Sequence, residues 1–298
     1  MGGSPTAGVG PAGASGVNGH PHGTDAPGSQ VRAEVSGEGG LEPIAGWQDV
    51  LVVDAQFGVP RLAEIYDALD LDRSDLDVYA AMVDEFGASS VLDIGCGTGT
   101  LACMLARRGI AVVGVDPASA SLDVARRKSG ADAVRWLIGD AMTLPPLDVD
   151  LVTMTGNVAQ VFVPDREWQT ALAAARTALR PEGRLVVETR DPEQRAWRGW
   201  TREQTYRQVD VPGVGGVENW VELTDVALPL VSFRAHFVFV SDGAVLTSDS
   251  TLRFRDRQEV VESLVTAGFA IEDIRGAPDR PGREMVFVAA ARSPASTA

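Results

Sequence analysis

The chain has 298 residues, enough for one large domain or two small ones, and 45% hydrophobic with 22% charged residues is ordinary globular composition. A formal net charge of −15 argues against a nucleic-acid partner, because phosphate binding needs a basic surface. No apolar run is long enough to span a membrane, so neither nucleic acid nor a bilayer is an expected partner and a cytoplasmic location is expected.

Residues 1–40 are rich in Gly, Ala, Ser and Pro and nearly free of large apolar side chains. Such a segment cannot bury enough surface to offset chain entropy and is predicted to be a disordered tail. It lacks the basic start and apolar stretch of a secretory signal. His20 and His22 lie in it and are read as solvated rather than metal ligands; no metal site is expected. Residues 41–298 are predicted to form one domain.

Its first part, 41–86, reads as a helical cap, with helical apolar spacing over 61–69 and 76–86. Tyr66, Asp67 and Tyr79 lie on these helices. Residues 91–94 then read as a short buried strand carrying Asp93 near its end. Gly95, Gly97 and Gly99 follow at alternate positions around Cys96, and 100–108 reads as a helix. A strand that turns through glycines into a helix lets a ligand approach the backbone closely. A second strand, 111–115, ends at Asp116-Pro117, near the offset at which an acid meets ribose hydroxyls in nucleotide-binding βαβ units. A helix over 118–128 and a third strand over 133–138 lead to Gly139-Asp140-Ala141-Met142, where a carboxylate is placed for an adenine amine.

A fourth strand is predicted over 150–155, with Thr155, Gly156 and Asn157 at its carboxyl end. A helix over 166–179 stops at Arg180-Pro181-Glu182-Gly183, and a fifth strand covers 184–188. The segment 191–255 breaks the alternation and is too long for a loop. Stretches 217–226, 230–240 and 244–253 have strand character, with Ser241-Asp242-Gly243 as a hairpin turn. They are read as an inserted antiparallel sheet of about three strands, a candidate substrate lid. A helix over 256–267 and strands over 270–276 and 284–292 close the chain.

These motifs resemble those of class I S-adenosylmethionine-dependent methyltransferases. Asp93-Ile-Gly95-Cys-Gly97-Thr-Gly99 matches their glycine motif, Asp116 their ribose-binding acid and Gly139-Asp140-Ala141 their adenine-flanking turn. The resemblance covers roughly residues 83–188 and, less closely, 257–292. It implies an α/β fold: a doubly wound, mostly parallel seven-stranded sheet with a C-terminal antiparallel hairpin. It also implies S-adenosyl-L-methionine as cofactor, held by Tyr66, Asp93, Gly95, Cys96, Gly97, Gly99, Asp116, Pro117, Asp140, Ala141 and Met142, to which Thr155 and Asn157 are added by their place at the carboxyl end of the fourth strand. In similar enzymes an N-terminal segment folds over the cofactor, which is the role expected of Tyr66 here.

The rival is an NAD(P)-dependent oxidoreductase. Its Gly-x-Gly-x-x-Gly fingerprint wants glycine where Thr100 stands, and Asp93 would face a pyrophosphate unfavourably. A third reading is a non-catalytic module that binds the cofactor without turnover.

The loop after the fourth strand lacks the Asn/Asp-Pro-Pro-aromatic pattern of base-directed members, and no Pro-Cys nucleophile is present. The acceptor is therefore expected to be a small molecule, methylated on oxygen or nitrogen by direct displacement. Tyr79 and Arg190 are candidate substrate contacts, with Arg195 an alternative carboxylate partner. His236 is the one candidate general base, although alternation with Phe233, Ala235, Phe237 and Phe239 puts it on the opposite face from the phenylalanines. Trp197, Trp200, Tyr206 and Trp220 either wall a pocket or pack the lid. Cys96 and Cys103 are read as free thiols. A homo-oligomer, if one forms, is expected to join through the inserted sheet.

Overall fold

The structure, a computed structural model, describes residues 53–292. The tail at 1–40, with His20 and His22, and the cap's first residues, 41–52, lie outside the described residues. Three helices come first: α1 (Ala55–Gly58), α2 (Pro60–Leu69) and α3 (Asp75–Glu85). Then β1 (Ser90–Ile94), α4 (Thr100–Arg107), β2 (Ala111–Asp116), α5 (Ser119–Ala125), β3 (Val134–Ile138), β4 (Val149–Met154), α6 (Asp165–Ala178) and β5 (Leu179–Arg190) alternate. After α7 (Arg202–Thr205) come four strands, β6 (Arg207–Val211), β7 (Gly215–Ala227), β8 (Leu230–Phe239) and β9 (Val245–Arg253). The chain closes with α8 (Arg257–Thr266), β10 (Phe269–Gly276) and β11 (Glu284–Ala291).

The first sheet has seven strands in the order β10-β11-β5-β4-β1-β2-β3. Its pairs β4–β5, β1–β4, β1–β2 and β2–β3 are parallel, and β11 runs antiparallel to both β5 and β10. This is the predicted doubly wound sheet with its closing hairpin. The order reverses between β1 and β4, and ligands of open α/β sheets bind outside the carboxyl ends of strands at such a point.

Each face of this sheet is covered, which is why its strands read as nearly continuous apolar runs. On one face Leu92, Val152, Leu185, Val187 and Phe287 pack against Trp168, Leu172 and Ala175 of α6 and Val260 and Leu264 of α8. On the other, Val91, Leu151, Val186 and Val286 pack against Tyr79 and Val83 of α3 and Leu101 and Leu105 of α4. The helix ends follow their local chemistry. Pro60 opens α2, and a capping box opens α8: Glu259 N–H donates to Asp256 Oδ1 and Asp256 N–H to Glu259 Oε2, both at 2.8 Å.

The second sheet is antiparallel throughout, in the order β6-β7-β8-β9. Four strands stand where about three are predicted. The added one, β6, is Arg-Gln-Val-Asp-Val, mostly polar and exposed, and only Val211 is buried. Its strand state comes from pairing with β7, which no local pattern announces. One face of the sheet, Val217, Ala235, Phe237 and Phe239, packs on Leu62 and Ile65 of α2. Trp197, Val231, Leu252 and Phe254 form a smaller core nearby.

Two boundaries also differ. The helix predicted to Lys128 ends at Ala125, and Gly130 follows with φ 89°. The stop signal at 180–183 falls inside β5, whose pairing with β4 jumps from Val149↔Leu179 to Leu151↔Arg184. Residues 180–183 turn within that jump, with Glu182 at φ 67°.

Candidate functional site

The carboxyl ends of β1, β2, β4 and β5 bring most of the predicted site residues together. Leaving β1, the chain turns through Gly95, Gly97 and Gly99 at φ 71°, 54° and 73°. The turn is tied to β2: Gly95 and Cys96 N–H donate to Val115 O at 2.9 and 3.2 Å. Gly97 N–H donates to Asp116 Oδ2 and Ala118 N–H to Asp116 Oδ1, each at 2.8 Å. The carboxylate that ends β2 thus holds the middle of the turn.

The three glycines differ in what surrounds them. A Cβ on Gly95 would lie 2.1 Å from Val158 Cγ2, and one on Gly99 2.4 Å from the Trp136 ring. A Cβ on Gly97 would meet nothing within 4 Å. Gly95 and Gly99 therefore serve protein packing, whereas the space beside Gly97 is open.

Asp93 lies beneath the turn, 1% exposed, and Thr153 Oγ1 donates to its Oδ1 at 2.7 Å. Burial, with a smaller push from the Asp116 charge, raises its carboxyl to about 7 against the Thr153 hydrogen bond. Its folded value lies above its ordinary 3.8, so between these values the native state holds a proton that the unfolded chain has released. The associated stability is present below about pH 4 and lost as pH rises through about 7. Asp93→Asn is therefore expected to flatten the fall in stability between pH 4 and 7, read from denaturant unfolding at several pH values. An unchanged slope would contradict the assignment.

Burial also raises the Asp116 carboxyl against its two backbone hydrogen bonds. Burial and the neighbouring Asp116 and Asp93 push the Cys96 thiol well up, so it is held as a protonated thiol; Cys96 and Cys103 are both free.

At the end of β3, Asp140 Oδ1 accepts from Met142 N–H at 2.9 Å and Thr143 N–H at 3.2 Å. Ala141 is buried, Met142 is exposed, and Pro117 is half-buried beside Asp116. Gly139 N–H donates to Asp116 O, which joins this turn to the end of β2. After β4, Thr155 is half-buried and Asn157 is 4% exposed.

Helix α2 reaches the glycine turn through Asp67. Its Oδ1 accepts from Thr98 Oγ1 at 2.7 Å and Thr100 Oγ1 at 3.3 Å, and its Oδ2 pairs with Lys128 Nζ at 2.5 Å. The neighbouring Tyr66 keeps 38% of its surface exposed, with its ring 5.4 Å from that of Phe57. Arg190, at the end of β5, donates from Nη1 to Gln160 Oε1 at 2.9 Å and lies 5.5 Å over the Trp200 ring. Arg195 is exposed.

Tyr79 packs in the core under β5 and β11, 3% exposed, and the Glu188 and Glu284 carboxylates beside it add to the effect of burial in raising its phenol. His236 is not brought to this edge. Its strand neighbours Ala235 and Phe237 face α2, so it projects from the other face of the sheet. There its ring stacks on Trp220 at 4.7 Å and its Nε2 lies 3.0 Å from Glu222. Trp220 and Tyr206 share that outer face, whereas Trp197 and Trp200 pack on Phe254 and Phe233. The candidate base therefore lies on the face of the second sheet that is turned away from α2.

The site also contains residues that the sequence did not single out. Glu188 and Glu284 are 1% and 4% exposed and lie beside each other near the end of β5. Arg280 bridges them, with Nη1 2.7 Å from Glu284 Oε1 and Nη2 3.3 Å from Glu188 Oε1. A glutamate closing one apolar stretch, 184–188, and another opening the last, 284–292, is the available signal. Their meeting depends on the antiparallel pairing of β11 with β5.

A family model described as a methyltransferase domain matches residues 91–183. The methyltransferase GfsG of Streptomyces halstedii is 32% identical over 148 residues, 47% of this chain and 48% of that protein. The demethylmenaquinone methyltransferase of Thermotoga maritima is 30% identical over 222 residues, 71% of this chain and 86% of that protein. Across the first curated relatives the chain spans about half of their length, at 57%, 48% and 57%. Among solved structures, the sugar N-methyltransferase KedS8 from Streptoalloteichus superposes with a TM-score of 0.65 at 19% identity. That alignment covers 86% of this chain and 100% of the other, a likeness of fold.

Proposed function

The chain belongs to the S-adenosylmethionine-dependent methyltransferases of the class I fold, and from that premise we propose that it transfers a methyl group to an oxygen or nitrogen of a small molecule. The observation that carries this reading is the glycine turn held by Asp116, with backbone open at Gly97. The residues fit the cofactor. Asp116, at the end of β2, would offer its carboxylate to two ribose hydroxyls. Asp93 puts a buried carboxyl beneath a turn that would receive a cationic ligand, and the same carboxylate would oppose a pyrophosphate. When bound, S-adenosylmethionine supplies an electrophilic methyl group, which the acceptor takes by direct displacement.

Little covalent chemistry is then left for the side chains. Their work is to hold acceptor and methyl aligned in a dry pocket, an effect worth several kcal/mol. Tyr66 and Asp67 on α2 close the cofactor side, and the second sheet, which packs on α2, forms a lid over the acceptor side. Arg190, beside Gln160 and Trp200, is the substrate contact we favour. The net charge of −15 and the Gly156-Asn157-Val158-Ala159 stretch after β4, which holds neither a proline pair nor an aromatic side chain to stack a base, support a small-molecule acceptor over a nucleic acid. No described helix is long and apolar enough to cross a membrane.

Thermal unfolding of the full chain with S-adenosylmethionine, S-adenosylhomocysteine, NAD(H) and FAD tests the proposal. A ligand at a hundred times its dissociation constant adds about 2.7 kcal/mol of stability. Stabilisation by the two adenosyl compounds alone is expected. A shift with a dinucleotide, or with none of the four, would overturn the cofactor assignment.

A further inference from the structure

We propose that Glu188 and Glu284 are positioning residues: together they hold the loop after β4 against the glycine turn and so set the floor of the cofactor site. This rests on the cofactor reading above and goes beyond it, because neither residue belongs to the glycine motif or to the predicted site.

The geometry runs in one chain of contacts. Gly156 N–H donates to Glu188 Oε2 at 2.7 Å, and Asn157 Nδ2 donates to Glu284 Oε1 at 3.2 Å. Gly156 and Asn157 are consecutive left-handed residues, at φ 63° and 64°, which turns the loop so that the Gly156 N–H and the Asn157 side chain reach the two glutamates. The next residue, Val158, fills the volume that a side chain on Gly95 would take. A packed interior transmits displacement, so a shift of the loop that the two glutamates hold moves Val158 and with it the first glycine of the turn.

Two buried carboxylates at one place are costly, and the fold compensates them unevenly. Arg280, from the segment before β11, bridges both, and Arg190 Nε lies 4.0 Å from Glu284 Oε1. Tyr79 of α3 faces the pair and carries no charge. Glu284 Oε2 and Asn157 Oδ1 are buried without a hydrogen-bond partner among the described residues. A carboxyl group that keeps its proton resolves the first of these, because Oε2–H is then a donor beside Glu188. Burial above all, then the Glu188 carboxylate beside it, pushes the Glu284 carboxyl well above the ordinary glutamate range against the opposing effects of Arg280 and Asn157. Loss of that proton leaves two adjacent carboxylates repelling each other where they grip the loop.

A static cross-link and a positioning pair are separated by the pH dependence of cofactor-site affinity. The measurement is calorimetric titration of the full chain with S-adenosylhomocysteine between pH 6.5 and 9.5. Glu284→Gln keeps the shape of the protonated carboxyl and cannot titrate. Asp93 and the ligand's own amine titrate in both proteins alike, so the informative quantity is the difference between the two profiles. The wild type is expected to lose about tenfold more affinity than Glu284→Gln across this range, the equivalent of one pK unit of coupling. Glu188→Ala is expected to bind about tenfold more weakly at pH 7, and Glu188→Gln, which retains an acceptor for Gly156 N–H, to recover most of the loss. Superimposable wild-type and Glu284→Gln profiles, or undiminished affinity in Glu188→Ala, would overturn the positioning role. Absence of binding by the wild type at every pH would instead overturn the cofactor reading beneath it.

Discussion

Replacing Asp116 with alanine is expected to weaken S-adenosylhomocysteine binding about 100-fold, close to 3 kcal/mol. Hydrogen bonds to a charged group contribute about 1.5–3 kcal/mol each when desolvated, and Asp116 is 7% exposed. The variant removes two kinds of interaction. One is the acceptor proposed for the ribose hydroxyls. The other is in the protein itself: Gly97 N–H and Ala118 N–H lose the carboxylate that fixes the turn relative to the start of α5. Both losses act on the cofactor, the first directly and the second through a turn that is no longer preorganised. Asp116→Asn keeps one acceptor oxygen and should fall between the two proteins. Calorimetry measures the affinity, and thermal unfolding without ligand separates the turn's own contribution. Near-normal affinity in Asp116→Ala would show that the ligand does not sit at the end of β2.

The sequence was most informative where structure is local. The glycine turn, the acids at the ends of β1, β2 and β3, and the alternation of strands and helices each depend on neighbours a few residues away. Their positions were legible to within a residue or two at most boundaries. Asp93, Asp116 and the three glycines were named from a pattern whose physical basis, close backbone approach at the end of a strand, is itself local.

What escaped depends on pairing between distant segments. β6 is a strand because β7 lies beside it; its own residues alternate only weakly. Glu188 and Glu284 become one cluster because β11 returns antiparallel to β5, in a register that sets Glu284 opposite Arg190. Asp67 is legible on a cap helix, but its contact with Thr98 depends on α2 lying across the glycine turn, some thirty residues later in the chain. His236 illustrates the same limit from the other side. Alternation separated it from the phenylalanines, but the helix that chooses which face looks inward, α2, precedes it by well over a hundred residues.

The close approach between the glycine turn and the loop after β4 makes the second large effect. Gly95→Ala is expected to destabilise the protein by about 2–5 kcal/mol: about 1–2 for a left-handed non-glycine residue and about 1–3 for overpacking. The overpacking has a named opponent, because the new Cβ would lie 2.1 Å from Val158 Cγ2 and 3.1 Å from its Cβ. Trimming that side chain should relieve part of the clash. Val158→Ala alone removes packing against the main core and should cost about 1–2 kcal/mol, whereas the double variant should be more stable than the sum of the single changes by about 1–2 kcal/mol. The backbone part of the Gly95 penalty should remain, since φ 71° is unaffected by Val158. Denaturant unfolding of the four proteins supplies the cycle. Simple additivity would mean that the two segments do not touch, and it would remove the contact through which the carboxylates under the loop are linked to the cofactor site.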